Sequence, residues 1–218
     1  MDLVIFDLDG TLVDSKLDLV NSVNATRGHL GLDRLDDDLV ASYVGRGAPA
    51  LIRSSLGEDA GDADLERGLE YFLAYYRDHM LDCTKLYPGV LESIERLHAA
   101  GVRMAILTNK PVRFSEHMID RLGLSDRFFR VYGGNSFDHK KPHPIGIDKL
   151  CEESGIGKDR TIMIGDSSVD IRTARNAGVR SCGVTYGFQP DSFLHEPPDI
   201  LAGSMADITD ILLAPVTK

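Results

Sequence analysis

Only three cysteines occur in the 218 residues, Cys83, Cys151 and Cys182, and no two of them stand in a CxxC spacing. So odd and scattered a set predicts neither a disulfide framework nor a structural zinc; each reads as a small apolar filler. The histidines give no metal pattern either, since His139 and His143 flank a Lys-Lys-Pro without nearby cysteines or a helical HxxxH. No apolar run approaches the ~20 residues of a membrane-spanning helix, and no membrane partner is expected. Positive charge is short as well: 24 Lys and Arg against 34 Asp and Glu leave a formal net charge of -10. That balance argues against non-specific nucleic-acid binding, which needs a basic face to displace counterions. No charged n-region, apolar h-region or cleavage site precedes the first apolar stretch, so a cytoplasmic location is expected. Internal repeats and low-complexity tracts are absent too.

What is present is ordinary globular material, 43% hydrophobic and 27% charged, enough for one large core or a core with a small accessory domain. The chain is organised around Val4 to Thr11, VIFDLDGT. Three apolar residues read as a buried strand that runs straight into two carboxylates, a glycine and a hydroxyl. If the chain stays extended through Leu8, Asp7 and Asp9 share one side. Gly10 then allows an abrupt turn, with Thr11 just beyond it. Two crowded acids at a strand end repel unless a cation sits between them or one holds a proton.

Beyond this stretch the text turns helical. Asp14 or Ser15 is placed to cap a helix carrying Leu19, Val20, Val23 and Leu30, and two shorter helices are expected over Asp36 to Val44 and Ala48 to Leu56. Asp64 to Leu81 is the longest, with Leu65, Leu69, Phe72, Leu73, Tyr76 and Met80 at helical steps. No strand is expected from Ser15 to about Leu81. The rhythm then becomes helix, glycine, strand: helices closing at Gly101, Gly123, Gly155 and Gly178 alternate with strands over Val102 to Thr108, Arg130 to Tyr132, Thr161 to Gly165 and Ser181 to Thr185. A strand near Asp199 to Leu201 and a helix over Met205 to Leu213 complete it. Such alternation predicts an α/β fold with a doubly wound, mostly parallel sheet, whose ligands bind beyond the carboxyl ends of the strands. Asp7-Leu8-Asp9, Thr108-Asn109 and Gly165-Asp166-Ser167-Ser168 all fall on that edge.

DLDGT followed by LVDS resembles the first motif of the haloacid dehalogenase-like phosphohydrolases. VRMAILTNK at Val102 to Lys110 resembles the second, Lys141 in KKPHP the third, and GDSSVD at Gly165 to Asp170 the acidic fourth; VTYGF at Val184 to Phe188 extends the likeness. The resemblance implies a Rossmann-like catalytic core over residues 1–14 and 82–218, with 15–81 as an inserted all-helical cap. It also implies Mg²⁺ held by Asp7, the backbone carbonyl of Asp9, and Asp166, with Asp170 supporting the metal site.

The residue types suit phosphoryl transfer, which needs an in-line nucleophile, a cation over the charged oxygens, further donors and a proton for the leaving group. Asp7 is the candidate nucleophile, forming an aspartyl-phosphate. Asp9 is the candidate acid and then base. Its presence points to phosphate chemistry, since members resembling true haloacid dehalogenases lack this second acid. Thr108 and Asn109 are expected to donate to the phosphoryl oxygens and Lys141 to add a point charge. The Gly45-Arg46-Gly47 turn resembles the cap loop of phosphoglycolate phosphatases, which makes Arg46 a candidate for a substrate carboxylate. The expectation is an Mg²⁺-dependent phosphatase acting on a small phosphorylated metabolite, as a monomer or homodimer. The alternatives are a sugar-phosphate mutase resembling β-phosphoglucomutase, an inorganic pyrophosphatase and, outside enzymes, a phospho-accepting receiver domain.

Overall fold

The computed structural model describes residues 1–57 and 59–214, and the last four residues of the expected core lie outside them. Six strands form one parallel sheet: β1 (Leu3–Phe6), β4 (Arg103–Leu107), β5 (Arg130–Tyr132), β6 (Thr161–Gly165), β7 (Arg180–Val184) and β8 (Ile200–Ala202). Their spatial order is β5-β4-β1-β6-β7-β8, so the winding reverses direction at β1. A crevice opens at such a reversal, just past the strand ends. The register places Phe6 opposite both Ile106 and Ile164, so the residues that follow three neighbouring strands emerge side by side.

β1 is LVIF and wholly buried, which is why it shows no polar alternation. The period of two sorts its side chains between two apolar layers. Leu3 and Ile5 pack with Ile147 and Leu150 of α7 (Ile145–Ser154) and Ala174 and Ala177 of α8 (Ser168–Ala177). Val4 and Phe6 belong to the layer of Ile94 and Leu97 from α5 (Val90–Ala99), Met118 from α6 (Val112–Arg121) and Ile208 from α9 (Met205–Leu213). Each such side chain contributes about 1.5–3 kcal/mol by leaving water.

Between β1 and α5 lie α1 (Lys16–His29), α2 (Asp37–Ser42), α3 (Ala48–Leu56) and α4 (Asp62–His79). Asp36 caps α2, accepting from the N–H groups of Asp38 and Leu39. Ser15 precedes α1, but its side chain makes no capping bond. Two strands of two residues each, absent from the sequence reading, bracket the helical stretch: β2 (Val13–Asp14) pairs antiparallel with β3 (Lys85–Leu86). They are too short to show alternation, and only their pairing makes them strands. Buried Asp18 of α1 ties the two ends further, accepting from the Cys83 and Thr84 N–H groups and the Thr84 hydroxyl.

Candidate active site

β1 ends at Phe6, and Asp7 keeps one ladder bond, its N–H donating to the Ile164 carbonyl at 2.9 Å. The chain does not stay extended through Leu8 as the alternation suggested. Three N–H groups, from Thr11, Leu12 and Val13, converge on the Leu8 carbonyl and coil the backbone into a turn. Gly10 makes that turn feasible with φ of 80°, where a Cβ would be strained and would also collide with the Asp166 carboxylate.

The turn delivers Asp7 to Asp166 and Asp170, and the three buried acids each place an oxygen within 4.8 Å of the others. Lys141, also buried, sets its Nζ 3.0 Å from Asp7 Oδ1 and 2.6 Å from Asp170 Oδ1. Asp170 is the third residue of α8, and its other oxygen accepts from the Ser167 N–H and hydroxyl, closing a capping box. Asp166 accepts from the Phe188 N–H at 2.7 Å.

Three carboxylates crowd around one ammonium, and the titration behaviour follows. Burial pushes the Asp7 carboxyl up to about 6, with Lys141 pulling against that rise and Asp170 adding to it. Burial, then Asp170 and Asp7, hold the Asp166 carboxyl well above the usual carboxylate range. Burial draws Lys141 toward neutrality, but Asp170 and Asp7 outweigh it and raise its pKa. An all-oxygen, charge-rich set of this kind fits a hard divalent cation. Two further features agree with that fit. No hydrogen bond among the described residues ends on the Asp9 carbonyl oxygen. A Cβ at Gly187 would collide with Asp166, and one at Gly165 with Asp170, so the glycines leave room for the acids to converge. Among the described acids the cluster is Asp7, Asp166 and Asp170; the Asp9 carboxylate is not part of it.

A pH dependence follows for the metal-free protein. The folded chain holds the Asp7 proton to about 6 while the unfolded chain releases it near 3.8, so stability is lost as pH rises through that window. The loss expected from this group is about 2–3 kcal/mol. Thermal melts from pH 4 to pH 7.5 should show it, with Mg²⁺ restoring more stability at pH 7.5 than at pH 5 and Asp166→Asn flattening the slope. A Mg²⁺ effect independent of pH would contradict the assignment.

The Asp9 carboxylate, like Asp7, lines a small cavity. It accepts from the Ser15 hydroxyl at 2.5 Å and from Lys110 Nζ at 2.9 and 3.1 Å. That explains why Ser15 does not cap α1, because its hydroxyl is turned to Asp9. Lys110 also donates to the Tyr76 hydroxyl at 2.5 Å and stands 4.4 Å from its ring centroid. Sequence reasoning gave Lys110 and Tyr76 no role. Lys110 closed the TNK run and Tyr76 stood in the apolar period of the long helix, and neither pattern marks which side chains meet.

The cavity, about 50 Å³, is lined by Asp7, Asp9, Thr108, Asn109 and Lys110 from the sheet edge and by Leu19, Leu51, Phe72, Tyr76 and Phe114 among the helical residues. Thr108 accepts from the Lys110 N–H at 3.3 Å. Asn109 stands at the site but its amide is engaged elsewhere, donating to the carbonyls of Gly45 (2.9 Å) and Lys141 (3.0 Å). The side chain of Arg46, the residue expected to meet a substrate carboxylate, is exposed and lies outside the cavity lining. Its loop meets the core through backbone instead: Lys140 donates to the Arg46 carbonyl at 2.6 Å, and Gln189 to those of Ser42 (3.1 Å) and Val44 (2.6 Å). With its neighbouring carbonyls gripped in this way, the loop leaves the guanidinium in solvent.

Comparison with known proteins gives a consistent set. The family model described as haloacid dehalogenase-like hydrolase matches residues 4–184. A phosphoglycolate phosphatase of Chromobacterium violaceum is 38% identical over 213 residues, covering 96% of this chain and 95% of that protein. One from Vibrio parahaemolyticus is 35% identical over 217 residues, covering 96% and 95%. The crystal structure of a predicted phosphoglycolate phosphatase from Haemophilus somnus superposes with a TM-score of 0.92 at 31% identity, covering 97% of each chain.

Proposed function

The chain belongs to the haloacid dehalogenase-like hydrolases and is a phosphatase, and from that premise we propose that it hydrolyses a small anionic phosphate monoester through an aspartyl-phosphate on Asp7, with Mg²⁺ as cofactor. The observation that carries this reading is the pinning of one Asp7 oxygen. Oδ1 is held by the Leu8 N–H at 2.7 Å and by Lys141 at 3.0 Å, while no bond among the described residues engages Oδ2. Oδ2 is therefore the oxygen left to attack phosphorus, on a carboxylate that cannot swing away.

Asp7, Asp166 and the Asp9 carbonyl would hold the cation beside Lys141, with Asp170 fixing the lysine. Bound there, Mg²⁺ would neutralise charge on the transferring phosphoryl oxygens. Asp9 in its carboxylic acid form gives its proton to the ester oxygen as that bond to phosphorus breaks. The same carboxylate then takes a proton from the water that displaces Asp7. Thr108 lies within the cavity to donate to the phosphoryl group, and Lys141 keeps the nucleophile oriented. We take α1 to α4 as the cap, which shields the cavity from bulk water and shapes the leaving-group side.

The test is phosphate release from a panel of 2-phosphoglycolate, pyrophosphate and hexose phosphates, with product analysis for isomerised sugar. Turnover is expected on 2-phosphoglycolate, to be lost with EDTA and regained with Mg²⁺. Full-rate hydrolysis in EDTA would refute the metal role, and an isomerised hexose phosphate would replace the phosphatase reading with a mutase.

A further inference from the structure

Lys110 is the only basic side chain among those lining the cavity, and it is buried. Its three ammonium hydrogens match three acceptor atoms, the two Asp9 oxygens and the Tyr76 hydroxyl. Tyr76 is held tightly by other means: its ring stacks on Phe72 with centroids 5.5 Å apart and meets Phe114 edge-on at 5.7 Å. The Tyr76 hydroxyl thus accepts one hydrogen bond, while its own proton has no acceptor among the described residues. Burial and the nearby Asp9 keep that phenol protonated. A buried donor without an acceptor is costly unless something supplies one.

What would supply it has a definable chemistry. The apolar side chains in the lining, Leu19, Leu51, Phe72 and Phe114, offer no hydrogen bonds to the hydroxyl groups of a sugar. An anionic group entering here meets the Asp7 carboxylate, and Lys110 is the cation in the lining that can offset it. We propose that Tyr76 and Lys110 together recognise a carboxylate on the leaving group, Lys110 by charge and Tyr76 by donating its hydroxyl proton. Selectivity for carboxylated phosphate esters then arises where the long helix α4 touches the TNK segment, and not at Arg46.

This inference rests on the phosphatase reading, and its experiment separates the two. kcat/KM is measured on 2-phosphoglycolate and on 2-hydroxyethyl phosphate, which replaces the carboxylate with a neutral hydroxymethyl, for wild type, Tyr76→Phe and Lys110→Met. Wild type should favour the carboxylate. Tyr76→Phe keeps the packed ring and should cut that preference about 10-fold, mainly through KM; Lys110→Met should cut it about 100-fold. Any general damage to Asp9 in Lys110→Met acts on both esters and cancels in the ratio. An unchanged ratio in Tyr76→Phe overturns the role of the hydroxyl, and in Lys110→Met that of the ammonium. Wild-type release from both esters without preference overturns the inference alone, whereas release from neither overturns the phosphatase reading.

Discussion

Asp7→Asn should lower kcat by at least about 10⁴-fold while leaving the protein folded. The amide is isosteric with the carboxylate, and its carbonyl oxygen can still accept from the Leu8 N–H and Lys141. What disappears is the anionic oxygen, so no covalent intermediate can form. The same change removes the negative charge of one of the three clustered acids. Metal-free Asp7→Asn should therefore melt no lower than metal-free wild type at pH 7.5. Phosphate release and thermal melts check the two halves, and a fluoroberyllate or vanadate adduct in wild type should sit on Asp7. More than about 1% residual turnover would show that another group carries the phosphoryl transfer.

Lys141→Met should have the largest effect on stability. Lys141 is 4% exposed and is the shared ion-pair partner of Asp7 and Asp170. Without it the cluster keeps three buried acids and loses the ammonium that pairs with two of them, a situation that costs about 3–5 kcal/mol when one partner of a buried pair is removed. The direction with pH is fixed by the same physics. With the ammonium gone, the acids hold their protons still more tightly in the folded state, so part of the lost stability returns as pH falls from 7.5 to 5.5. Mg²⁺ should return part of it at neutral pH. Denaturant titrations of wild type and variant at both pH values test this. A loss below about 1 kcal/mol at pH 7.5 would mean that solvent reaches the cluster and screens it.

The core was legible because its signals are local. An unbroken apolar run such as Leu3 to Phe6 reads as a strand buried on both faces, and the glycines that close the core helices, Gly101, Gly123, Gly155 and Gly178, separate each helix from the strand that follows. The two-residue strands were not legible, since Val13–Asp14 and Lys85–Leu86 become strands only by meeting each other. Ser15 shows a related limit: a hydroxyl ahead of a helix looks like a cap, and only the fold reveals that Asp9 competes for it.

The sequence by itself determined the α/β alternation, the strand-end placement of Asp7, Asp9, Thr108 and Asp166, and the class of chemistry they suit, because these depend on periodicity and residue type. The tertiary structure alone decided which groups face one another. It turned Asp170 toward the acid cluster, engaged Asn109 with backbone carbonyls, left Arg46 in solvent, and brought Lys110 against Asp9 and Tyr76. The partnerships of Lys110 with Tyr76 and with Asp9 join residues 34 and 101 positions apart, and their energies come from desolvation and charge in a shared interior that no linear pattern records.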